Sequence, residues 1–317
     1  MVDPPAVVVV GSANMDLVAR CAVLPRPGET VSAESFDTVP GGKGANQAIA
    51  VARSGASSCA FLGAVGRDEY GARLRAVLRA DGVDTAYLRE VPDAPTGTAL
   101  ITVDAVAANT IVVVPGANAR LRDLSAAELR LPRESTVVLA QLEIPVETVR
   151  AAFNVAREGN GGLTVLNAAP ARPLDADLLA VTDLLVVNEI EAATIAGRDP
   201  ATAGADPGAL CESLLELTPR VALTLGERGV GYADRDGARY QIPAPPAKAV
   251  DSTAAGDTFT GVLAAGLAAG RPIDTALRYA CAAASLSVER PGASSSIPYA
   301  AAIQERYEAA YGAVAEP

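Results

Sequence analysis

The sequence contains no histidine, and this absence narrows the chemistry that the chain can perform. Ser-His-Asp triads, Cys-His nucleophile pairs and HExxH zinc sites all need an imidazole, either as the base or as a metal ligand. These systems are therefore excluded. Any catalysis has to depend on carboxylates, Lys, Arg, side-chain amides, backbone groups and bound cations.

Cysteine is scarce, and the four that are present, Cys21, Cys59, Cys211 and Cys281, lie far apart in the sequence. Because there is no CxxC pair for zinc binding or thiol exchange, we interpret them as buried free thiols in a reducing compartment. The first residues, MVDPPAVVVVGS, lack the positive charge of a signal peptide. We therefore expect a cytoplasmic protein.

Long apolar runs and basic clusters are also missing. The longest apolar-rich stretch, residues 258–270, is shorter than the ~18 residues that a membrane span needs. The chain has 26 Lys and Arg against 37 Asp and Glu, which gives a net charge of −11. We therefore expect a folded, acidic protein with neither a membrane nor a nucleic acid as its partner.

Buried strands alternate with helices along the chain. Continuous β-branched runs are typical of strands buried on both faces of a parallel sheet, and they occur at 6–11, 136–143, 163–170, 184–189 and 221–226. Ala-rich segments of helical length lie between them, at 44–55, 71–82, 146–159 and 206–219. This order predicts a doubly wound, mainly parallel α/β sheet with helices on both faces. Since no repeat or linker interrupts it, residues 1–317 are predicted to form a single domain.

Two segments depart from this alternation. Residues 29–39 and 96–118 have the pattern of antiparallel strands, and the second segment predicts a hairpin across residues 105–109. They form either a small sheet beside the main one or an extension of its edge.

The first glycine-rich motif is GGKGANQ at 41–47. It is not a P-loop, because Gly44 stands where a P-loop needs Ser or Thr, and it lacks the last glycine of a dinucleotide fingerprint. Bare backbone at Gly42, ahead of a helix that carries Lys43 and Asn46, would let a small polar ligand approach closely. A flexible helix entry without a ligand explains the motif equally well.

The motif GSANMD follows the first predicted strand and places Asn14 and Asp16 on the same side of an extended chain. Ligands bind at the carboxyl ends of strands in open α/β sheets. An amide and a carboxylate together suit the vicinal hydroxyls of a polyol. Capping of backbone groups in a loop is the alternative.

The segment DSTAAGDTFTG leads into a Gly/Ala-rich helix, so the amides around Gly256 would lie at a positive helix end. Asp257 is then either a plain helix cap or a base beside an anion hole. Asp251 would bind a cation or close a turn. In NEIE at 188–191, Asn188 and Glu191 would either orient magnesium-bound water and phosphate or form a capping box.

Taken in chain order, nine motifs resemble those of the ribokinase-like (phosphofructokinase-B-type) carbohydrate kinases, from about residue 7 to about residue 300. They are GSANMD, PGET, GGKGANQA, TGTAL, PGAN, QLEIP, NEIE, TLGERG and DSTAAGDTFTG. AAGDTF is found throughout the family, whereas GGKGANQA with QLE at 141–143 is more specific for the ribokinase branch.

The resemblance implies roles for individual residues. The sugar would be contacted by Asn14, Asp16, Gly42, Lys43, Asn46 and Glu143. Asp257 would accept the proton of the primary hydroxyl, and the anion hole would be formed by Ala254, Ala255 and Gly256. Phosphate, magnesium water and ATP would be bound by Asn188, Glu191, Thr224, Gly226, Gly229 and Gly256. A monovalent cation, usually K⁺, would be held by Asp251, Thr253, Ser287, Arg290, Gly292 and Ser296.

The implied reaction is transfer of the γ-phosphate of ATP to the 5-hydroxyl of D-ribose, with Mg²⁺ and K⁺. Segments of about 15–40 and 96–114 would form a β lid that closes over the sugar and pairs two subunits into a homodimer. Alternatives are another pentose, a ketohexose or a nucleoside as substrate, a non-catalytic sugar-binding regulator, and a nicotinamide dehydrogenase, which the missing fingerprint disfavours. Cys281 stands where relatives often have His or Asn, and this leaves the nucleotide preference open.

Overall fold

A nine-stranded sheet forms the centre of the computed structural model, which describes residues 4–106, 108–199 and 206–312. All neighbouring strands are parallel except for an antiparallel hairpin at one edge. In spatial order from that edge the strands are β13 (Arg239–Ile242), β12 (Val230–Asp234), β11 (Arg220–Thr224), β10 (Leu184–Asn188), β9 (Leu163–Asn167), β8 (Val137–Ala140), β1 (Val7–Val10), β4 (Cys59–Gly66) and β5 (Leu88–Val91). The five strands predicted from β-branched runs are β1, β8, β9, β10 and β11, and all five are confirmed.

Helices pack on both faces of this sheet, as predicted. The alternating side chains of β1 show why its run of valines is continuous: Val7 and Val9 belong to one apolar cluster, and Val8 and Val10 belong to the other. The helices are α1 (Lys43–Arg53), α2 (Glu69–Ala80), α3 (Ala126–Glu134), α4 (Val146–Glu158), α5 (Ala176–Ala180), α6 (Glu189–Ile195), α7 (Pro207–Leu215), α8 (Ala255–Ala268), α9 (Ile273–Ser287) and α10 (Ala300–Tyr311).

A second, four-stranded sheet confirms the small sheet predicted beside the main one. Its order is β3 (Ala33–Gly41), β2 (Asn14–Cys21), β6 (Gly97–Val103) and β7 (Asn109–Val114). The two outer pairs are antiparallel, but β2 and β6 are parallel, so the sheet is mixed rather than wholly antiparallel. Residue 107 of the predicted hairpin lies outside the described residues. We call these four strands the lid sheet.

The four cysteines have the buried, unpaired state that the sequence predicted. All four cysteines are buried and free, and burial raises the pKa of the Cys59 thiol. Within the described ranges, no helix has the length and apolar character needed to cross a bilayer.

A close backbone approach places GGKGANQ against GSANMD. A Cβ added to Gly44, in the first turn of α1, would lie 2.5 Å from the amide nitrogen of Ser12 and 2.7 Å from the carbonyl carbon of Gly11. The amide of Ala45 donates to the carbonyl of Ser12 at 2.9 Å. Helix α1 therefore begins in direct contact with the chain that leaves β1.

Substituting Gly44→Ala is expected to destabilise the fold, although alanine normally stabilises a helix relative to glycine by roughly 0.5–1 kcal/mol. Because the new Cβ would overlap backbone atoms, we expect the free energy of unfolding to fall by ~1–3 kcal/mol, the usual cost of overpacking. Urea unfolding followed by circular dichroism measures the change.

Gly208→Ala is the matched control. Gly208 lies in the first turn of α7, where the nearest atom to an added Cβ is Asp206 Oδ1 at 3.4 Å, an ordinary contact. This variant is expected to gain up to ~1 kcal/mol. Changes of the same sign at both positions would show that the approach at Gly44 does not constrain the fold.

Candidate active site

A single lysine lies among four carboxylates that come from different parts of the fold. Lys43 is the first residue of α1, and it interacts with Asp16 on β2, Glu143 after β8, Glu191 in α6 and Asp257 in α8. Burial lowers the pKa of Lys43, but the four carboxylates more than offset this and raise it. Residues predicted for the sugar and for the phosphates are therefore brought together around one ammonium group.

The carboxylate of Asp257 is held by two side-chain amides. Asn46 Nδ2 donates to Asp257 Oδ2 at 3.0 Å, and Gln47 Nε2 donates to Asp257 Oδ1 at 2.9 Å. The N-cap of α8 is Ala254, and no side chain caps this helix. The interpretation of Asp257 as a plain helix cap is therefore wrong.

The turn before α8 has a strained backbone. Ala254 adopts the left-handed conformation, with φ of 60°, which costs a residue with a Cβ roughly 1–2 kcal/mol. The amide of Ala255 donates to the carbonyl of Ser252 at 3.2 Å, whereas Gly256 is exposed and has open space around its Cα. Of the predicted anion-hole residues, the amide of Gly256 is thus the most accessible.

The residues predicted to bind sugar are oriented by a second set of polar groups. Asn118 Nδ2 donates to Asn14 Oδ1 at 2.7 Å, and Ser12 Oγ donates to Glu143 Oε2 at 2.5 Å. The same oxygen of Glu143 accepts the amide of Lys43 at 3.1 Å. Asn118 and Ser12 lie within the motifs PGAN and GSANMD, which were recognised without assigning a role to either residue.

One buried acceptor in this region is left free. The Oδ1 atom of Asn46 has no hydrogen-bond partner among the described residues, whereas the amide nitrogen of the same side chain donates to Asp257. An unpaired buried oxygen is costly, so a hydroxyl donor from a bound sugar would satisfy it.

The carboxylate of Asp16 is strongly affected by its surroundings. Burial, followed by the charges of Glu143 and Asp257, raises its pKa to about 7, against a smaller opposing effect of Lys43. Its side chain also lies against Gly41 on the neighbouring strand, where an added Cβ would collide with it. Gly42 has φ of 90°, and a Cβ there would lie 2.6 Å from the amide nitrogen of Asn14. These two glycines therefore allow β2 and β3 to meet next to the site.

A cavity of about 220 Å³ opens at the carboxyl ends of the strands. Its lining includes Lys43, which was predicted to contact the sugar, and Asp257, which was predicted to accept the proton of the sugar hydroxyl. It also includes residues that were predicted for the nucleotide, the phosphates or the anion hole, namely Asn188, Glu191, Thr224, Ala254 and Gly256. Asn167 and Thr260 also line it and were not predicted. Gly226 and Gly229 lie outside the lining, in the turn after β11, where both have positive φ.

Asn188 and Glu191 form a complete capping box at the start of α6. Asn188 Oδ1 accepts the amide of Glu191, and Glu191 Oε2 accepts the amide of Asn188, both at 2.9 Å. The capping interpretation is therefore confirmed, and the same side chains also face the cavity. Burial raises the pKa of Glu191, with Asn188 and Lys43 opposing the rise.

The predicted cation residues come from two segments that Asp251 joins. Its Oδ1 accepts the amide of Thr253 and its Oδ2 accepts the amide of Gly292, each at 2.9 Å. The hydroxyls of Ser287 and Ser296 donate to carbonyls of their own segments, and Arg290 is exposed. A hydroxyl that donates keeps its lone pairs, so the hydroxyl oxygens, the Asp251 carboxylate and the backbone carbonyls of these segments are the candidate oxygen ligands for a cation. In the described part of the chain, no cluster of three or more cysteine and carboxylate side chains is arranged to hold a metal.

Asp16→Asn is expected to stabilise the unliganded protein at pH 8 and to have little effect at pH 4. The folded-state pKa of about 7 lies above the ordinary value of 3.8, so ionisation of Asp16 opposes folding. This penalty is absent below the unfolded pKa, grows as the pH rises, and is complete above the folded pKa. Since one pKa unit corresponds to ~1.4 kcal/mol, the free energy of unfolding should rise by ~1–4 kcal/mol at pH 8.

Urea unfolding at several pH values measures the effect of Asp16→Asn, with Asp37→Asn as its control. Asp37 is an exposed aspartate on β3 and faces Val18, two residues beyond Asp16 on β2. Asp37→Asn should leave the stability unchanged at every pH. A gain for Asp16→Asn that does not vary with pH would contradict the electrostatic explanation.

Known proteins are similar to this chain in both sequence and fold. Residues 5–300 match the pattern of the pfkB family carbohydrate kinases. A ribokinase of Bacillus subtilis is 40% identical over 299 residues, which cover 94% of this chain and 97% of that protein. A ribokinase of Schizosaccharomyces pombe is 38% identical over 303 residues and covers 92% of this chain and 94% of the relative.

A solved structure agrees with these relatives. The ribokinase of Arabidopsis thaliana complexed with ribose and ATP superposes with a TM-score of 0.86 at 32% identity, over 97% of this chain and 99% of that chain. Sequence and fold thus agree over nearly the whole length of the chain, which belongs to the pfkB family of carbohydrate kinases.

Proposed function

We propose that this chain is an ATP-dependent ribose kinase, which transfers the γ-phosphoryl group of ATP to the 5-hydroxyl of D-ribose. The observation that carries the proposal is the carboxylate of Asp257, fixed by Asn46 and Gln47 at the N-terminus of α8 and exposed to the cavity. Curated ribokinases at 36–40% identity support the choice of sugar.

In the proposed mechanism, Asp257 accepts the proton of the sugar hydroxyl as the oxygen attacks the γ-phosphorus. The positive end of α8 and the accessible amide of Gly256 stabilise negative charge on the transferred group. Lys43 stays ionised, since its pKa is raised, and it adds a positive charge between sugar and phosphates. The chain therefore positions the reactants and stabilises charge, as phosphoryl transfer requires.

The sugar contacts fit a polyhydroxylated ligand. Asp16 and Glu143 offer carboxylate oxygens to hydroxyl donors, and Asn46 Oδ1 offers a buried acceptor that has no partner among the described residues. Each hydrogen bond to a charged group contributes ~1.5–3 kcal/mol. A small polyol can satisfy these groups together, whereas an apolar ligand would leave them unpaired.

Magnesium fits the charge balance of the cavity. Two of its lining residues, Glu191 and Asp257, carry carboxylates against the single positive charge of Lys43, so a bound triphosphate would need further positive charge. Asn188 and Glu191 are the residues that would hold Mg²⁺, through its water molecules. Bound there, Mg²⁺ would supply positive charge against the negative charge that develops on the phosphates.

A monovalent cation fits the donors that Asp251 brings together. Backbone carbonyls with one carboxylate are hard oxygen ligands, which suit an alkali cation. Because the segment of Asp251 and Thr253 leads directly into the Ala254 turn, K⁺ bound there would support the strained backbone beside the anion hole.

Replacing the base tests the proposal most directly. Asp257→Ala should lower kcat for ribose by on the order of 10²–10⁴, because the hydroxyl loses its proton acceptor, while ATP affinity stays close to that of the wild type. ADP release measures the activity of both enzymes. When ribose, arabinose, fructose and adenosine are compared as acceptors for the wild type, ribose should give the highest kcat/KM.

Asp175→Ala controls for the loss of an aspartate at a helix start. Asp175 is a true N-cap, since its Oδ1 accepts the amide of Leu178 at 2.7 Å in α5. Its removal should cost ~0.5–2 kcal/mol of stability without changing kcat. If Asp257→Ala phosphorylates ribose within a few fold of the wild type, Asp257 is not the base.

We also propose that the lid sheet pairs two subunits. One face of it exposes large apolar side chains. Leu100 on β6 lies opposite Val112 on β7, and Phe36 on β3 lies on the same face, two strands away from Leu100 and two positions further along the sheet. The exposed fractions of Leu100, Val112 and Phe36 are 47%, 61% and 62%. Contiguous apolar surface of this kind marks an interaction site.

Placing a charge on this face should separate the subunits. Val112→Glu is expected to convert a dimer into a monomer at micromolar concentration, measured by light scattering after size-exclusion chromatography. Val23→Glu is the control, because Val23 is 64% exposed but lies outside the strands. A monomeric wild type, or a dimer that survives Val112→Glu, would contradict the proposed interface.

A further inference from the structure

Gln47 lies behind the proposed base and is completely buried. Its Nε2 donates to both Asp257 Oδ1 and Asn167 Oδ1, each at 2.9 Å, so both amide hydrogens are used. It does not line the cavity. Gln47 therefore contacts the carboxylate from the side away from the ligand.

The orientation of this amide is fixed by a second glutamine. Gln141, after β8, is also completely buried, and its Nε2 donates to Gln47 Oε1 at 2.5 Å. A Cβ at Gly11 would collide with Gln141, so the glycine after β1 provides the space that Gln141 occupies. Gln141 Oε1 has no partner among the described residues.

Burying an acceptor such as Gln141 Oε1 without a partner among the described residues costs free energy. This cost indicates that the arrangement has a function. With Gln141 donating to its oxygen, Gln47 presents only its NH₂ group to Asp257. If Gln47 were flipped, its Oε1 would face the carboxylate oxygen, and the two would repel each other. The pair of glutamines thus works against the flipped state, at the cost of one unsatisfied atom.

We propose that Gln47 is a positioning residue for the base, and that Gln141 acts through it by locking the amide in the donating orientation. A catalytic group acts efficiently only when it is held in the productive geometry. The relay from Gln141 to Gln47 to Asp257 therefore keeps the carboxylate aimed at the hydroxyl that it deprotonates. This inference rests on the proposed role of Asp257.

The test separates kcat from the KM values for ribose and ATP. Gln47→Leu should lower kcat about tenfold, because a misaimed base costs rate in the transition state. The KM values should stay within about twofold of those of the wild type, because Gln47 does not line the cavity. Gln141→Leu should lower kcat less, and the double variant no more than Gln47→Leu alone.

Thr182→Val is the control for the loss of a buried hydrogen bond. Thr182 is completely buried and donates to the carbonyl of Leu178 at 2.8 Å, near the start of β10. It should lower the melting temperature without changing kcat. Should Gln47→Leu fail to fold, Gln141→Leu tests the relay.

Lower melting temperatures with an unchanged kcat in the glutamine variants would overturn the inference and leave the pair a purely structural role. Its failure is distinguishable from that of the proposed function. An active Asp257→Ala enzyme would show that Asp257 is not the base, whereas an inactive Asp257→Ala enzyme beside glutamine variants of wild-type kcat would remove only the relay.

Discussion

The arrangement of the site depends on one buried-charge constraint, the set of four carboxylates around Lys43. These carboxylates come from the lid sheet, from the strand end after β8 and from two helices, so one ammonium group connects elements that are distant in the sequence. Without it, Asp16, Glu143, Glu191 and Asp257 would repel one another in a poorly solvated space. Four carboxylates against one ammonium group leave an excess of negative charge, which the proposed cations would offset.

Much of the fold could be predicted because buried strands have a recognisable apolar pattern in the sequence. The valines of β1 face both apolar clusters, and such runs are recognisable without a structure. Strand β4 was missed because its Ala and Gly residues have no β-branched pattern, and β12 and β13 because they are short and partly polar. The parallel pairing of β2 with β6 depends on contacts between distant segments, which local pattern cannot reveal.

Some residues of the site could likewise be predicted from the sequence, and others could not. Asp257, Glu191 and Asn188 stood out because they lie in motifs at helix starts, and most of the residues predicted for the phosphates line one cavity. Gln47, Gln141 and Asn118 were not assigned roles, because a buried amide has no distinctive spacing and its partners lie 94–210 residues away. In a chain without histidine, such amides provide the orienting hydrogen bonds that imidazoles provide elsewhere. Their role becomes visible only when distances are known.

Strand β7 has a consequence for the newly made chain. It lies at the edge of the lid sheet, and all six of its residues, NTIVVV, are exposed. Strand β7 leaves the ribosome before most strands of the main sheet have been synthesised, because most of those strands follow residue 136. A β-rich edge with no charge can pair with the same segment of a neighbouring chain on a polysome. An edge of this kind is therefore an aggregation hazard during synthesis, before the main sheet is complete.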